Sequence, residues 1–203
     1  MDEVRLGLAS VTILPVVRGL PSETSTVADA IRTTDPKVVA LSIGPEELQT
    51  LRVYDGGPLE PENFEEEIYV AGLSAWEAPV KPPPCFTEAV RIADKRGTRL
   101  EALDMDEVTY TENYVDSVSG LEVVFQGRLE RRLAKKRFDA RTPREFVLAW
   151  DAEVNGPPGF ARLQARREAF MAARLRQIAA DESSVLAVIE VERTRGVLAL
   201  LRS

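Results

Sequence analysis

Residues 37–43 have the sequence KVVALSI, and the Gly44-Pro45 pair that follows ends this apolar run. A continuous apolar run of this length, bounded by a glycine and a proline, is typical of a strand buried on both faces of a parallel sheet. Residues 185–190, with the sequence VLAVIE, form a second run of the same kind near the end of the sequence. The two runs predict buried strands of a central sheet with helices packed against it.

The segments around these runs continue the alternation of strands and helices. Residues 4–17 are rich in aliphatic and β-branched side chains and predict one strand or a hairpin. Helices are predicted over residues 21–33, 46–54 and 86–96, a strand over residues 99–103, and a helix or strand over residues 197–201. The expected fold class is therefore α/β, with a mixed, mostly parallel central sheet flanked by helices.

The second half of the chain is dominated by helical patterns. Residues 128–150 and 162–180 are separated by the sequence NGPPG at residues 155–159. We expect a helical insertion at about residues 112–180 within a single domain of residues 1–203. Residues 121–126 (LEVVFQ) are compatible with a strand or the start of a helix, and the acidic residues 55–67 predict a solvated loop.

The composition excludes several kinds of functional site. The chain of 203 residues contains no histidine and one cysteine, Cys85. A disulfide within the chain and a multi-cysteine zinc site are therefore excluded, and Cys85 has no histidine to activate its thiol. The charged start of the sequence and the lack of an apolar run of about 20 residues lead us to expect a cytoplasmic protein with no membrane span.

The charge is distributed unevenly along the sequence. Residues 1–127 hold 10 Lys and Arg against 23 Asp and Glu, a net charge of −13, whereas residues 128–203 hold 16 against 10, a net charge of +6. The two halves either neutralise each other within one fold or dock across a homodimer. For the homodimer, we expect the aromatic residues Trp76, Phe138, Phe146 and Trp150 at the interface.

Residues 128–144 carry most of the positive charge of the second half. The basic residues there are Arg128, Arg131, Arg132, Lys135, Lys136, Arg137, Arg141 and Arg144. Basic helices with interleaved aromatic residues can bind nucleic acid or another anionic partner. The alternative is an amphipathic helix with a solvated basic face, which the spacing of Leu129, Leu133 and Phe138 favours.

Several segments taken together resemble the TraB/PrgY/GumN family, which is related to the Tiki and erythromycin-esterase-like proteins. The similar segments are residues 38–48 (VVALSIGPEEL), 84–89 (PCFTEA), 102–109 (ALDMDEVT), 167–180 and 185–196. They resemble, in order, the family's P-x-V-V-A-V-E-L segment, its helix and L-I-D-R-D strand, and its closing helix, strand and G-A-G-H-x-x-G element. The resemblance implies an α/β fold and the ancestry of a metal-dependent protease or hydrolase.

The residues that form the family's metal site are missing from this sequence. The resemblance places its first histidine at about Val17 or Arg18, its glutamate at Ser42 and its closing histidine at Arg193. The glycines before the closing histidine are replaced by Glu190 and Glu192. Of the aspartate-arginine-aspartate element, Asp104 and Asp106 remain and Met105 replaces the arginine.

These replacements argue against the family's chemistry. Arginine has five donors and no lone pair for a metal, and Ser42 has no histidine to activate it as a nucleophile. We therefore expect a catalytically degenerate member of the family, without a catalytic residue, cofactor or metal, that acts as a binding or regulatory module.

Two further hypotheses concern the carboxylates and arginines at the replaced positions. Asp104, Asp106, Glu190 and Glu192 are the candidates for a rebuilt Mg²⁺ or Mn²⁺ site of a hydrolase, provided that the two pairs lie within about 8 Å of each other. Alternatively, Arg18 and Arg193 converge at one end of the sheet. They then form ion pairs with these carboxylates, or they leave an anion pocket.

Overall fold

A computed structural model of the protein describes residues 1–57, 59 and 63–203. The elements follow in the order β1 (Asp2–Leu6), β2 (Ala9–Val16), α1 (Glu23–Thr34), β3 (Val38–Leu41), α2 (Pro45–Arg52), α3 (Phe64–Leu73), α4 (Pro84–Arg96), β4 (Arg99–Ala102), α5 (Glu107–Ser117), α6 (Gly120–Leu133), α7 (Pro143–Val154), α8 (Pro158–Asp181), β5 (Ser184–Glu190) and α9 (Val191–Arg202). The expected α/β class is confirmed.

The strands form one mixed sheet in the order β1-β2-β5-β3-β4. Strands β1 and β2 form an antiparallel hairpin, in which Gly7 adopts a positive φ of 62° at the turn. All the other pairings are parallel, so the sheet is mostly parallel, as the apolar runs predict. The central strand β5 pairs with both β2 and β3, which brings the two halves of the sheet together.

Each face of the sheet packs against its own layer of helices. Val38 and Ala40 of β3 point into a core shared with α8 and α9, whereas Val39 and Leu41 point into a core shared with α1, α2 and α4. All four residues have no exposed surface. This explains why successive side chains of β3 point to opposite faces of the sheet and yet are all apolar.

Helices α5 to α8 connect β4 to β5, in the region where a helical insertion is expected. The single helical pattern predicted over residues 128–150 is wrong, because the chain leaves helix α6 after Leu133 and enters α7 at Pro143. Proline disfavours a helical conformation in the residue before it, and the Thr142 side chain accepts a hydrogen bond from the backbone of Glu145. A new helix therefore begins at this point.

Two other sequence expectations are corrected or decided. The predicted loop over residues 55–67 contains the first turn of α3, which begins after an Asn63 cap and carries Glu65 near its positive end. Residues 58 and 60–62 of that loop lie outside the described residues. Residues 121–126 and 197–201 are both helical, in α6 and α9.

The aromatic residues expected at a dimer interface are largely used inside the chain. Phe146 and Trp150 are 3% and 5% exposed, and Phe138 packs against both rings. Trp76 lies beside Phe146 at the edge of this cluster and remains 37% exposed. No helix in the described part of the chain is long and apolar enough to cross a membrane.

Candidate functional site

The carboxyl ends of the parallel strands form one edge of the sheet, and a charged or polar residue lies at or just beyond the end of each strand there. Arg18 lies two residues after β2, Ser42 directly follows β3, Asp104 lies two residues after β4, and Glu190 ends β5. In an open α/β sheet, ligands bind in the crevice outside this edge. A cavity of about 660 Å³ lies there, and its charged lining residues are Arg18, Glu65, Glu66, Lys81, Asp151, Arg167, Glu190, Glu192 and Arg193.

Arg18 and Glu190 form an ion pair across the ends of β2 and β5. The Arg18 Nε lies 2.9 Å from Glu190 Oε1, and the Glu190 side chain is 5% exposed. The charge of Glu190 raises the pKa of Arg18 although burial opposes this. Ser42 contributes to the same arrangement, because its Oγ accepts a hydrogen bond of 3.1 Å from the backbone N–H of Glu190. Ser42 therefore supports the end of β5. Its partner in this hydrogen bond is a backbone N–H and not a basic side chain that could activate Ser42 as a nucleophile.

A second arginine, Arg167 of helix α8, occupies the other side of Glu190. Its Nε donates to Asp104 Oδ2 at 2.9 Å, a second N–H donates to the same oxygen, and it lies 3.9 Å from Glu190 Oε2. Burial lowers the pKa of Arg167, but the charges of Asp104 and Glu190 outweigh burial and raise it. Asp104 also accepts a hydrogen bond from the backbone N–H of Met105. Both oxygens of this buried carboxylate are thus occupied.

Arg193 lines the same cavity as Arg18 but has different partners. It forms ion pairs with Asp151 of α7 and with Glu168 of α8, the latter at 3.3 Å. The Arg193 side chain is 5% exposed, so the pairs are nearly shielded from solvent. Gly196 allows this arrangement, since a Cβ atom there would lie 1.9 Å from a carboxylate oxygen of Glu168.

Glu192 differs from these residues because its enclosed oxygen has no partner. Its side chain lines the cavity, and its Oε2 is buried without a hydrogen bond within the described part of the chain. Burial, followed by the charge of Glu190, raises the pKa of Glu192 to about 7, and Arg18 opposes the shift. Burial also raises the pKa of Glu65, another lining carboxylate, and that of Glu47, which lies near Arg18 and Glu190.

Asp106 lies away from this arrangement. It is the N-cap of helix α5, and its side chain accepts a hydrogen bond of 2.7 Å from the backbone N–H of Thr109, which lowers its pKa. The four carboxylates proposed for a rebuilt cation site are thus divided among a cap, ion pairs and an unpartnered acid. Within residues 1–57, 59 and 63–203, no group of three or more Asp, Glu, Cys or His side chains is placed to hold a metal ion.

Sequence reasoning missed several residues of the site. Asp151, Arg167 and Glu168 come from helices α7 and α8, and no motif connects them with the strand ends. Tyr69 and Glu65 lie on α3, whose first turn falls within the loop predicted over residues 55–67 and whose later turns were not predicted as a helix. The Tyr69 hydroxyl donates to the backbone carbonyl of Arg18 at 3.3 Å, and a helical spacing from Asn63 onward is the signal that could have revealed this element.

A comparison with known protein families finds no match, and neither does a comparison with curated proteins. The resemblance to the TraB/PrgY/GumN family therefore depends on the motif residues of this sequence alone. What the site does must be argued from its own geometry and charges.

Proposed function

We propose that this chain is a small-molecule-binding protein, a degenerate relative of the TraB-like proteins, and that the cavity at the carboxyl ends of the parallel strands is its binding site. The observation that carries the proposal is the carboxylate of Glu192, which lines this cavity and whose Oε2 is enclosed without a hydrogen-bond donor in the described part of the chain. A buried acceptor without a partner costs free energy on the order of 1–3 kcal/mol. A ligand that supplies the missing donor recovers that cost.

The arginines support binding over metal chemistry. Arg18 and Arg193, which stand where the resemblance implies histidine ligands, line the cavity and are held by carboxylates. Guanidinium groups bring positive charge and offer no lone pair to a cation. The alternative of a Mg²⁺ or Mn²⁺ hydrolase is less well supported, because Arg167 occupies Asp104 and α5 uses Asp106 as its cap.

The experiment that tests the proposal is a thermal-shift screen with a library of small molecules. Ligands of the cavity should raise the unfolding temperature of the wild type in a saturable way. Val70 lines the cavity, so the larger side chain of the variant Val70→Trp should fill part of the cavity and abolish this response. The matched variant Val53→Trp lies on an exposed position outside the lining and should keep it. A response that Val70→Trp retains would place the binding site elsewhere.

We also propose that the protein forms a homodimer, through helix α6. Val124 and Phe125 lie three and four residues after Leu121, and the three residues are 66%, 53% and 71% exposed, respectively. They form an apolar stripe on one face of the helix, next to Arg128, whose guanidinium lies over the Phe125 ring. Apolar stripes of this kind are typical of protein interfaces. The basic residues 128–144 begin at the end of this stripe, and the net negative charge of residues 1–127 makes a second copy a complementary partner for them.

The basic region is less suited to nucleic acid than its charge alone suggests. Arg132 and Lys136 both form ion pairs with Glu153 of α7.

Light scattering tests the proposed dimer. At tens of micromolar it should give a dimer mass for the wild type and a monomer mass for Phe125→Glu. Leu8→Glu, at a 96% exposed position in the β1–β2 turn, is the matched control and should remain dimeric. A wild-type monomer would rule out the dimer.

A further inference from the structure

The cations that line the cavity are already occupied by carboxylates of the chain. Arg18 pairs with Glu190, Lys81 with Glu66, Arg167 with Asp104, and Arg193 with Asp151. An anionic ligand would either displace one of these carboxylates, which leaves the carboxylate without its partner, or bind beside it and meet the repulsion of a like charge. The cavity is therefore poorly suited to phosphate, sulfate or an organic carboxylate.

Two carboxylates of the lining remain without an ion pair in the described part of the chain. Glu192 has the enclosed, unpartnered Oε2, and Glu65 extends from the first turn of α3. The cavity thus contains more acidic groups than its own cations neutralise. A buried carboxylate in this position either takes up a proton or acquires a cation from outside the chain.

Four aromatic residues lie among the uncharged residues of the lining. Tyr69, Tyr110, Trp150 and Phe160 contribute to the cavity walls. Aromatic faces attract cations and accept apolar carbon groups. The volume of about 660 Å³ falls within the range of roughly 300–1,000 Å³ that is typical of sites for small organic ligands. The walls and the acidic groups together favour a ligand that has both a positive charge and an apolar body.

We propose that the cavity binds a small organic ammonium ion, whose nitrogen donates to the carboxylate of Glu192 while its carbon body packs against Tyr69, Tyr110 and Trp150. This inference rests on the proposed function of the cavity as a binding site. It adds the charge and chemical class of the ligand, and it assigns Glu192 as the residue that recognises the charge.

The binding should depend on pH, because only the ionised carboxylate of Glu192 attracts an ammonium group. The charged groups that face Glu192 are Glu190 of β5, Arg18 after β2, Tyr69 of α3 and Arg193 of α9. The arginines are charged throughout the range from pH 6 to pH 8, and burial keeps Tyr69 protonated by raising its pKa. With the pKa of Glu192 raised to about 7, affinity should rise roughly tenfold from pH 6 to pH 8.

The test uses three probes of the same shape and different charge in isothermal titration calorimetry with the full chain. Benzylammonium should bind with one site, benzyl alcohol should bind at least about tenfold more weakly, and benzoate should bind more weakly than either. A tenfold difference corresponds to about 1.4 kcal/mol, less than a single buried charge-assisted hydrogen bond contributes. Benzylammonium affinity should also increase between pH 6 and pH 8.

The variant Glu192→Gln should lose at least about tenfold in benzylammonium affinity and its pH dependence. Glu67→Gln is the matched control, because Glu67 is a glutamate of α3 that does not line the cavity. Circular dichroism should show that both variants fold. Equal benzylammonium affinity of Glu192→Gln and the wild type, or tighter binding of benzoate, would overturn the inference.

The outcomes also separate this inference from the proposed function. One outcome is that Val70→Trp abolishes the binding of library compounds while benzylammonium does not bind to the wild type. In that case the cavity is a binding site for another chemical class of ligand, and the inference is wrong. If neither benzylammonium nor any library compound stabilises the wild type, the proposed function fails as well.

Discussion

Arg18 and Glu190 form an ion pair of 2.9 Å between Nε and Oε1 at the carboxyl ends of the neighbouring parallel strands β2 and β5. Ser42, at the end of β3, accepts a hydrogen bond from the backbone of Glu190 and so connects the third strand to the pair. The resemblance to TraB-like proteins implies metal-ligand positions at about Val17 or Arg18 and at Ser42. In this chain the same edge of the sheet holds ion pairs made by its own side chains.

Replacing Arg193 by alanine should destabilise the fold strongly. The change leaves Asp151 and Glu168 without their shared cation in a site where the arginine side chain is 5% exposed. Removing one partner of a buried ion pair costs about 3–5 kcal/mol. Urea denaturation of the wild type and the variant measures this loss. Arg195→Ala changes the same residue type at an exposed position of α9 and should cost less than about 0.5 kcal/mol. Similar losses for both variants would contradict a buried network.

The Arg18→Ala change should cost less than the Arg193→Ala change. The Arg18 side chain is 44% exposed, so water screens its charge and can replace part of its contact with Glu190. Glu190 also retains a second cationic partner in the variant, because a guanidinium nitrogen of Arg167 lies 3.9 Å from Glu190 Oε2. We expect a loss of about 1–2 kcal/mol in urea denaturation. A loss as large as that of Arg193→Ala would mean that Glu190 depends on Arg18 alone.

Stability should fall as pH rises through the range in which Glu192 ionises. Burial raises the folded-state pKa of Glu192 to about 7 from its ordinary value of 4.5, so the folded state binds a proton that the unfolded state releases. The favourable contribution is complete below about pH 4.5 and is lost as pH rises to about 7, with a difference on the order of 3 kcal/mol at most. Denaturation at pH 5, 6, 7 and 8 should show Glu192→Gln gaining stability relative to the wild type as pH rises. A constant difference between the two proteins would contradict the raised pKa.

The cap at Asp106 gives a test of the rebuilt cation site. Asp106→Ala removes the side-chain hydrogen bond to the Thr109 backbone and should lower the midpoint of urea denaturation slightly. It should leave ligand affinity at the cavity unchanged, and millimolar Mg²⁺ or Mn²⁺ should leave the unfolding temperature of the wild type unchanged. Stabilisation of the wild type by either cation that Asp106→Ala abolishes would instead support the hydrolase alternative.

The buried apolar runs made the sheet predictable, because strands covered on both faces must be apolar throughout. The residues after those strands could be named as candidates for a functional site, because parallel strands end at the same edge of the sheet. The partners of Arg193 could not be inferred, because Asp151 and Glu168 lie 42 and 25 residues away and reach the site only through the packing of α7 and α8. Helix α3 was missed because its acidic first turn follows a stretch rich in glycine and proline, and this composition also suits a loop.

The most direct test of the cavity as a binding site is the ionisation of Glu192, measured by NMR from the carboxyl carbon with and without benzylammonium. The Glu192→Gln variant assigns the signal. In the free protein we expect a pKa of about 7, and saturating benzylammonium should lower it by about one unit or more, since tenfold tighter binding to the ionised form requires that shift. A Glu192 signal that titrates at the same pH with and without the ligand would contradict the assignment of this carboxylate and of its cavity.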